Sequence, residues 1–163
     1  MSIAVFAGTF DPFTAGHLDI VRRAAPRFEK LYISICRNPA KEHTRFTLEE
    51  RLELIRDAIG DIENVEVAYF DGLLVDYCRS VNADTIVRSI RNGSDVDYER
   101  QLETVNLQLA PGIETMFFLS KPELAYISST FVRTLMDLRI SIEKLVPNAN
   151  HTIITDKLNG GNN

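Results

Sequence analysis

The stretch Ala4-Val-Phe-Ala-Gly-Thr-Phe-Asp-Pro-Phe-Thr-Ala-Gly-His-Leu-Asp-Ile-Val-Arg-Arg23 governs the reading of the whole chain. Residues 3–7 are an apolar run of strand length and composition. The run breaks at Gly8-Thr-Phe-Asp-Pro12, and an amphipathic segment begins near Ala15 with Thr14 at the N-cap position. Gly8 lets backbone approach a ligand closely, and Pro12 stiffens the loop. His17 falls in the first helical turn, where free amides and the helix dipole favour an anion. Thr9 adds a hydroxyl at the strand end. The same residues also suit a well-capped strand–helix turn carrying an incidental histidine.

Further along, residues 31–36, 65–70, 84–88 and 115–119 repeat the strand pattern. Helical period fills the gaps between them. Thr47 and Glu50 form a capping box ahead of Leu48, Leu52, Ile55 and Ile59. Residues 96–109 form a second clear helix, with Val96, Leu102, Val105 and Leu109 apolar, stopped by Pro111-Gly112. Residues 73–81 and 129–138 also have helical period, and two short helices split by Pro147 are expected after them. Pro26 should end or kink the first helix. This alternation gives an α/β fold: a Rossmann-like, doubly wound sheet of five parallel strands with helices on both faces. One domain is expected over residues 1–158, with a flexible tail at 159–163. In such sheets, ligands bind beyond the carboxyl ends of the strands, where strand order reverses.

Composition narrows the function. A formal net charge of −5 over 163 residues argues against a general nucleic-acid binder, which needs a clustered basic surface. There is also no aromatic–basic platform for single strands. No uncharged apolar run reaches the length of a membrane span, and no secretory signal opens the chain, so a cytoplasmic location without membrane partners is expected. Cys36 and Cys78 have neither metal-site nor redox spacing and read as ordinary thiols.

Other strand ends supply matching chemistry. Arg37-Asn-Pro-Ala-Lys41 follows the second strand as a basic loop, although a lysine there also suits plain solvation. Arg88 and Arg91 follow the fourth, with guanidinium forks suited to phosphate. Salt bridges to Asp95, Asp97 or Glu99 are their alternative. Ser128-Ser-Thr130 opens the helix after the fifth strand, where N-capping would need one hydroxyl rather than three.

Gly8-Thr-Phe-Asp-Pro12 followed by Thr14-x-Gly-His17 resembles the nucleotidylyltransferase signature, with Thr in place of the first histidine of His-x-Gly-His. With the Asn-Pro-x-Lys loop, Phe46-Thr-Leu-Glu-Glu-Arg51, Arg88-x-x-Arg91, Tyr98-Glu99, Leu109-Ala-Pro-x-x-Glu-Thr115 and Ile127-Ser-Ser-Thr130, the chain resembles the bacterial phosphopantetheine adenylyltransferases from residue 3 to about 158. The resemblance implies transfer of AMP from ATP to 4′-phosphopantetheine, giving dephospho-coenzyme A and pyrophosphate. It assigns Thr9, His17, Lys41 and Arg88 to catalysis, with His17 donating to the α-phosphate. Phosphopantetheine would be held by Thr9, Lys41, Leu74 and Arg88. ATP would meet Thr9, Phe10, His17, Ser89, Ile90, Arg91, Glu99, Leu124, Ala125, Tyr126, Ile127, Ser128, Ser129 and Thr130. Mg2+ would be bound mainly through ATP phosphates, with no residue assigned as its ligand. A homohexamer inhibited by coenzyme A is also implied. Ser89 stands where the family usually has glycine, Leu124 where it often has an aromatic residue, and Val96-Asp97 where it has Phe-Glu. Relatives that use nicotinamide mononucleotide or other small phosphates share the first and last motifs, and a non-catalytic nucleotide-binding regulator is the reading from another class.

Overall fold

The computed structural model describes residues 2–37 and 43–160. Five strands, β1 (Ile3–Gly8), β2 (Lys30–Cys36), β3 (Val65–Phe70), β4 (Thr85–Ile90) and β5 (Glu114–Leu119), form one parallel sheet. Its order is β3-β2-β1-β4-β5, so strand order reverses between β1 and β4. β4 runs through Ile90, and Ser89 and Ile90 are therefore strand rather than loop.

The two-residue period of β1 splits the core. Ala4 and Phe6 face a cluster completed by α1 (Ala15–Ala24) and α2 (Leu48–Ile59), through Ile20, Val21, Ala24, Ile55 and Ala58. Val5 and Ala7 face the opposite side, where α3 (Leu74–Ser80) contributes Val75 and Cys78. α1 stops at Ala24, and Pro26 lies in the 3-10 turn Ala25–Arg27 that follows. α2 begins as expected, with Thr47 and Glu50 each accepting the other's backbone N–H. A third cluster joins Phe46 and Leu54 to α5 (Ser129–Asp137) and α6 (His151–Gly160), through Val132, Met136 and Ile154.

Two expectations need correcting. Among the described residues, only one α-helix follows α5. No helix forms between Asp137 and Pro147, because Leu145 and Val146 fill the third cluster from a turn and the Leu145 carbonyl accepts the Ala15 amide at 2.9 Å. After Pro147, the 3-10 turn Asn148–Asn150 leads into α6, which runs on through Asn159 and Gly160. The second correction concerns α4 (Gly93–Leu109), which starts three residues earlier than its apolar period suggests, because the Asn92 side chain accepts the Asp95 amide. The apolar stripe Val96, Leu102, Val105 and Leu109 stays 36–51% exposed. Glu99 is the helix's one buried residue. Among the described residues, no helix is long and apolar enough to cross a membrane.

The ladders explain where the site lies. β1 and β4 pair only at Ala4↔Thr85, Val5↔Ile86 and Phe6↔Val87. Beyond that point β1 continues against β2 to Gly8↔Ile35, while β4 continues against β5 to Ile90↔Leu119. The two central strands part, and a cleft opens between their ends. Ile33 is fully buried in the sheet. Ile33→Ala should lower the unfolding free energy by about 2–5 kcal/mol and Thr47→Ala by about 1 kcal/mol, both measured by chemical denaturation.

Candidate active site

A cleft of about 740 Å³ occupies the gap where β1 and β4 diverge. β1 and its loop bring Gly8 and Thr9, the start of α1 brings Gly16 and His17, and β4 brings Arg88 and Ser89. The α5 start adds Ser128, Ser129 and Thr130.

His17 occupies the N3 position of α1 in a capping box where glutamate or glutamine is usual. Its ring Nδ1 accepts the Thr14 amide at 3.0 Å, and the Thr14 hydroxyl accepts the His17 amide at 3.2 Å. An accepting Nδ1 places the proton of the neutral ring on Nε2, which becomes the donor. The rings of Phe6, Phe10 and Phe13 lie 6.2, 5.0 and 5.4 Å away, centroid to centroid. Burial first, then the positive charge of Arg91, lowers the imidazole pKa to about 3. The ring is therefore uncharged near neutrality.

The first-turn amides complete an anion cradle. The Ala15 amide donates to Leu145 and the His17 amide to Thr14, leaving Gly16 N–H without an acceptor among the described residues. At α5, Ser128 Oγ accepts the Phe131 amide, and the Ser129 and Thr130 amides are likewise without acceptors. Two helix starts thus present free N–H groups to one cleft.

The loop between β1 and α1 is held from several sides. Arg51 donates from Nη1 to the Thr9 carbonyl at 2.9 Å. The Asp11 carboxylate accepts the Arg45 and Phe46 amides, each at 2.9 Å. Arg133 donates to the Asp11 carbonyl and the Ser129 hydroxyl to that of Pro12. Phe10 has φ 50° and folds its ring over Gly8, where a Cβ would lie 3.0 Å from the ring carbon Cζ. Glycine at position 8 is what lets that ring close down. The sequence assigns none of these supports: Asp11 and Arg51 stand in it only as members of motifs, and Arg133 carries no signal there. A signal was present for Arg51, which follows Leu48 by three residues and so lies on the apolar face of α2.

Arg88 on β4 and Arg91 just beyond its end are both paired. Arg88 donates from Nε and Nη2 to the two Glu99 oxygens at 2.7 and 2.6 Å, and from Nη1 to the Ala7 carbonyl at 3.1 Å. Arg91 donates from Nε and Nη2 to Asp95 at 3.1 and 3.2 Å. Burial raises the Asp95 pKa, but its hydrogen bonds with Arg91 outweigh this and hold it below the usual value.

Of the residues singled out in the sequence, Thr9, Phe10, His17, Arg88, Ser89, Arg91, Glu99, Ile127, Ser128, Ser129 and Thr130 border the cleft. The side chains of Phe10 and Ile127 belong to the core, at 4% and 3% exposure. Leu74, Ile90, Leu124, Ala125 and Tyr126 do not line it. Leu74 packs against the α3 cluster, Leu124 packs against the α5–α6 cluster, and Tyr126 is exposed. Lys41 lies outside the described residues. Among those residues, no group of three or more His, Cys, Asp or Glu side chains could hold a metal ion.

This strand order, with free helix amides and arginines at the switch point, suits a protein that handles the phosphates of a nucleotide. Residues 5–135 match the cytidylyltransferase-like family. A phosphopantetheine adenylyltransferase of Caldanaerobacter subterraneus subsp. tengcongensis is 43% identical over 147 residues, which are 90% of this chain and 91% of that protein. The chain belongs to the cytidylyltransferase-like nucleotidyltransferases, and within them to the phosphopantetheine adenylyltransferase family. The fold also matches two solved structures of a bifunctional NMN adenylyltransferase/ADP ribose pyrophosphatase from Francisella tularensis, one of them complexed with AMP and an MN ion. TM-scores are 0.68 and 0.65 at 19% identity, over 97% of this chain. This chain spans about half of those two proteins, 50% and 49%.

The His17 assignment has a direct spectroscopic consequence. Its Cε1–H resonance should show no titration between pH 5 and 8. The unfolded chain binds a proton near pH 6.5 that the native ring refuses until about pH 3. The corresponding stability is fully present above pH 6.5 and is lost as pH falls through that window. His17→Gln should flatten this part of the stability–pH curve, measured by denaturation at each pH.

Proposed function

We propose that the chain transfers AMP from ATP to the 4′-phosphate of phosphopantetheine, forming dephospho-coenzyme A and releasing pyrophosphate. The observation that carries this reading is the convergence of two free helix starts and two carboxylate-held arginines on the cleft of a chain 43% identical to a phosphopantetheine adenylyltransferase. An acceptor phosphate is already ionised at neutral pH, so no side chain need remove its proton. One of its oxygens bonds to the α-phosphorus as the bond to the β-phosphate oxygen breaks. Catalysis is then positioning and charge stabilisation.

In this reading, Thr9 contacts both substrates, and His17 donates from Nε2 to the α-phosphate oxygens beside the Gly16 amide. A neutral donor suits that place, because it keeps its proton throughout the step. Arg88, with Lys41, holds the acceptor phosphate, and Leu74 belongs to the wall along its pantetheine arm. Arg91, Ser129 and Thr130 face the leaving phosphates. Ser89, Ile90 and the segment from Leu124 to Ser128 frame the rest of ATP. The carboxylates bordering the cleft, Asp11, Asp95 and Glu99, are already engaged by N–H donors. Mg2+ therefore fits as an ion carried on phosphate oxygens, where it would neutralise charge on the leaving group.

The reading extends to assembly, regulation and compartment. A homohexamer is supported by the apolar stripe of α4 together with exposed Met116, Phe117 and Leu119 on edge strand β5. Feedback by coenzyme A is supported by its sharing the pantetheine arm of the acceptor. Free thiols at Cys36 and Cys78 support a cytoplasmic location.

Purified protein with ATP and Mg2+ should release pyrophosphate with phosphopantetheine, but not with nicotinamide mononucleotide or dephosphorylated pantetheine. Efficient turnover of the mononucleotide would overturn the acceptor assignment. His17→Ala should fold and bind ATP within a few-fold of wild type, yet turn over roughly 100- to 1,000-fold more slowly. Light scattering should give six times the chain mass, and Val105→Glu should reduce it.

A further inference from the structure

α4 is attached to the sheet in an unusual way for a helix of seventeen residues. Its stripe Val96, Leu102, Val105 and Leu109 is exposed, and the residue it buries, at 8% exposure, is Glu99. A buried carboxylate is costly unless its oxygens are satisfied. Here both are, by different nitrogens of Arg88 at 2.6 and 2.7 Å.

The edge of the guanidinium that Glu99 takes matters. Nε and Nη2 form its side edge, and Nη1 gives one hydrogen to the Ala7 carbonyl. Three of the five N–H hydrogens are thereby committed, and one remains on each of Nη1 and Nη2. Those two can meet a pair of phosphate oxygens. Asp95, one helical turn before Glu99, takes the same Nε/Nη2 edge of Arg91.

We propose that Glu99 is a positioning residue, which fixes the Arg88 guanidinium by its side edge and so aims the remaining donors at the acceptor phosphate. This rests on the reading that Arg88 holds that phosphate. Glu99 then acts on the acceptor side through Arg88, where the family resemblance pairs it with the nucleotide. Asp95 does the corresponding work for Arg91 on the nucleotide side. The charge on each arginine is balanced before substrate arrives, and its orientation is set in advance.

The test compares Glu99→Gln and Asp95→Asn with wild type, using steady-state kinetics for phosphopantetheine and calorimetric titration with ATP. Glutamine retains the size of Glu99, but turns an NH2 group towards a nitrogen of Arg88 that also donates. Glu99→Gln should raise KM for phosphopantetheine and lower kcat by roughly ten- to a hundredfold in combination, with ATP Kd within about twofold. Asp95→Asn should weaken ATP and leave the acceptor KM nearly unchanged. Because the two residues act as a unit, Glu99→Gln added to Arg88→Lys should cost little more than Arg88→Lys alone. Weakened ATP binding with an unchanged acceptor KM in Glu99→Gln would overturn the role, as would equal losses for both substrates or simple additivity with Arg88→Lys. A wild-type protein inactive on phosphopantetheine would instead overturn the acceptor reading beneath it.

Discussion

The short ladder between β1 and β4 is the constraint on which the rest depends. Three residue pairs hold the centre of the sheet together, and after Phe6↔Val87 each strand follows its outer neighbour instead. One product of that divergence is space for a ligand. Another is a change of partner for the Ala7 carbonyl, which accepts the Arg88 side chain. The arginine thus bridges the strands at the point where they stop bridging each other. A longer ladder would close the cleft and remove an anchor of Arg88 together.

Charge in the cleft is arranged so that nothing buried is left unbalanced. The protein as a whole is acidic, with a formal charge of −5, yet it can still receive polyanions because its basic groups are local and already oriented. His17 contributes a dipole rather than a charge. The α1 and α5 amides contribute partial positive charge. Around them, buried or half-buried polar groups such as Asp11 and Arg51 are spent on holding the loop backbone. An arrangement of this kind needs little reorganisation when phosphates arrive, which is the condition under which electrostatic stabilisation is most effective.

Much of the fold was legible because its signals are local. Strand runs, the Thr47–Glu50 capping box and the Pro26 break each follow from a few neighbouring residues, and all are found. The failures share a long-range cause. Residues 138–146 have enough apolar content for another helix, but Leu145 is held across the molecule by the Ala15 amide. The apolar stripe of α4 suggested a face turned to the core, and the helix instead buries Glu99 against Arg88. In the site, residue types pointed to phosphate chemistry, while the partners of those residues did not show. Phosphate recognition and salt bridging had been alternatives for Arg88 and Arg91, and the free edges of paired guanidinium groups make the two compatible. Phe10 borders the cleft, and its ring also packs against His17, an arrangement that depends on the unusual φ of one residue.

The central position of β1 also bears on how the protein is made. Thr9 and His17 leave the ribosome before the rest of the site, and β2 and β3 can pair with β1 and with each other as they emerge. The opposite bank of the cleft comes much later, since Arg88 and Arg91 follow Thr9 by some eighty residues and Ser129 and Thr130 by some hundred and twenty. A nascent chain ending at β3 has the first half of a phosphate cradle and none of the arginines or α5 amides that complete it. The cleft is therefore complete only once synthesis has passed the start of α5.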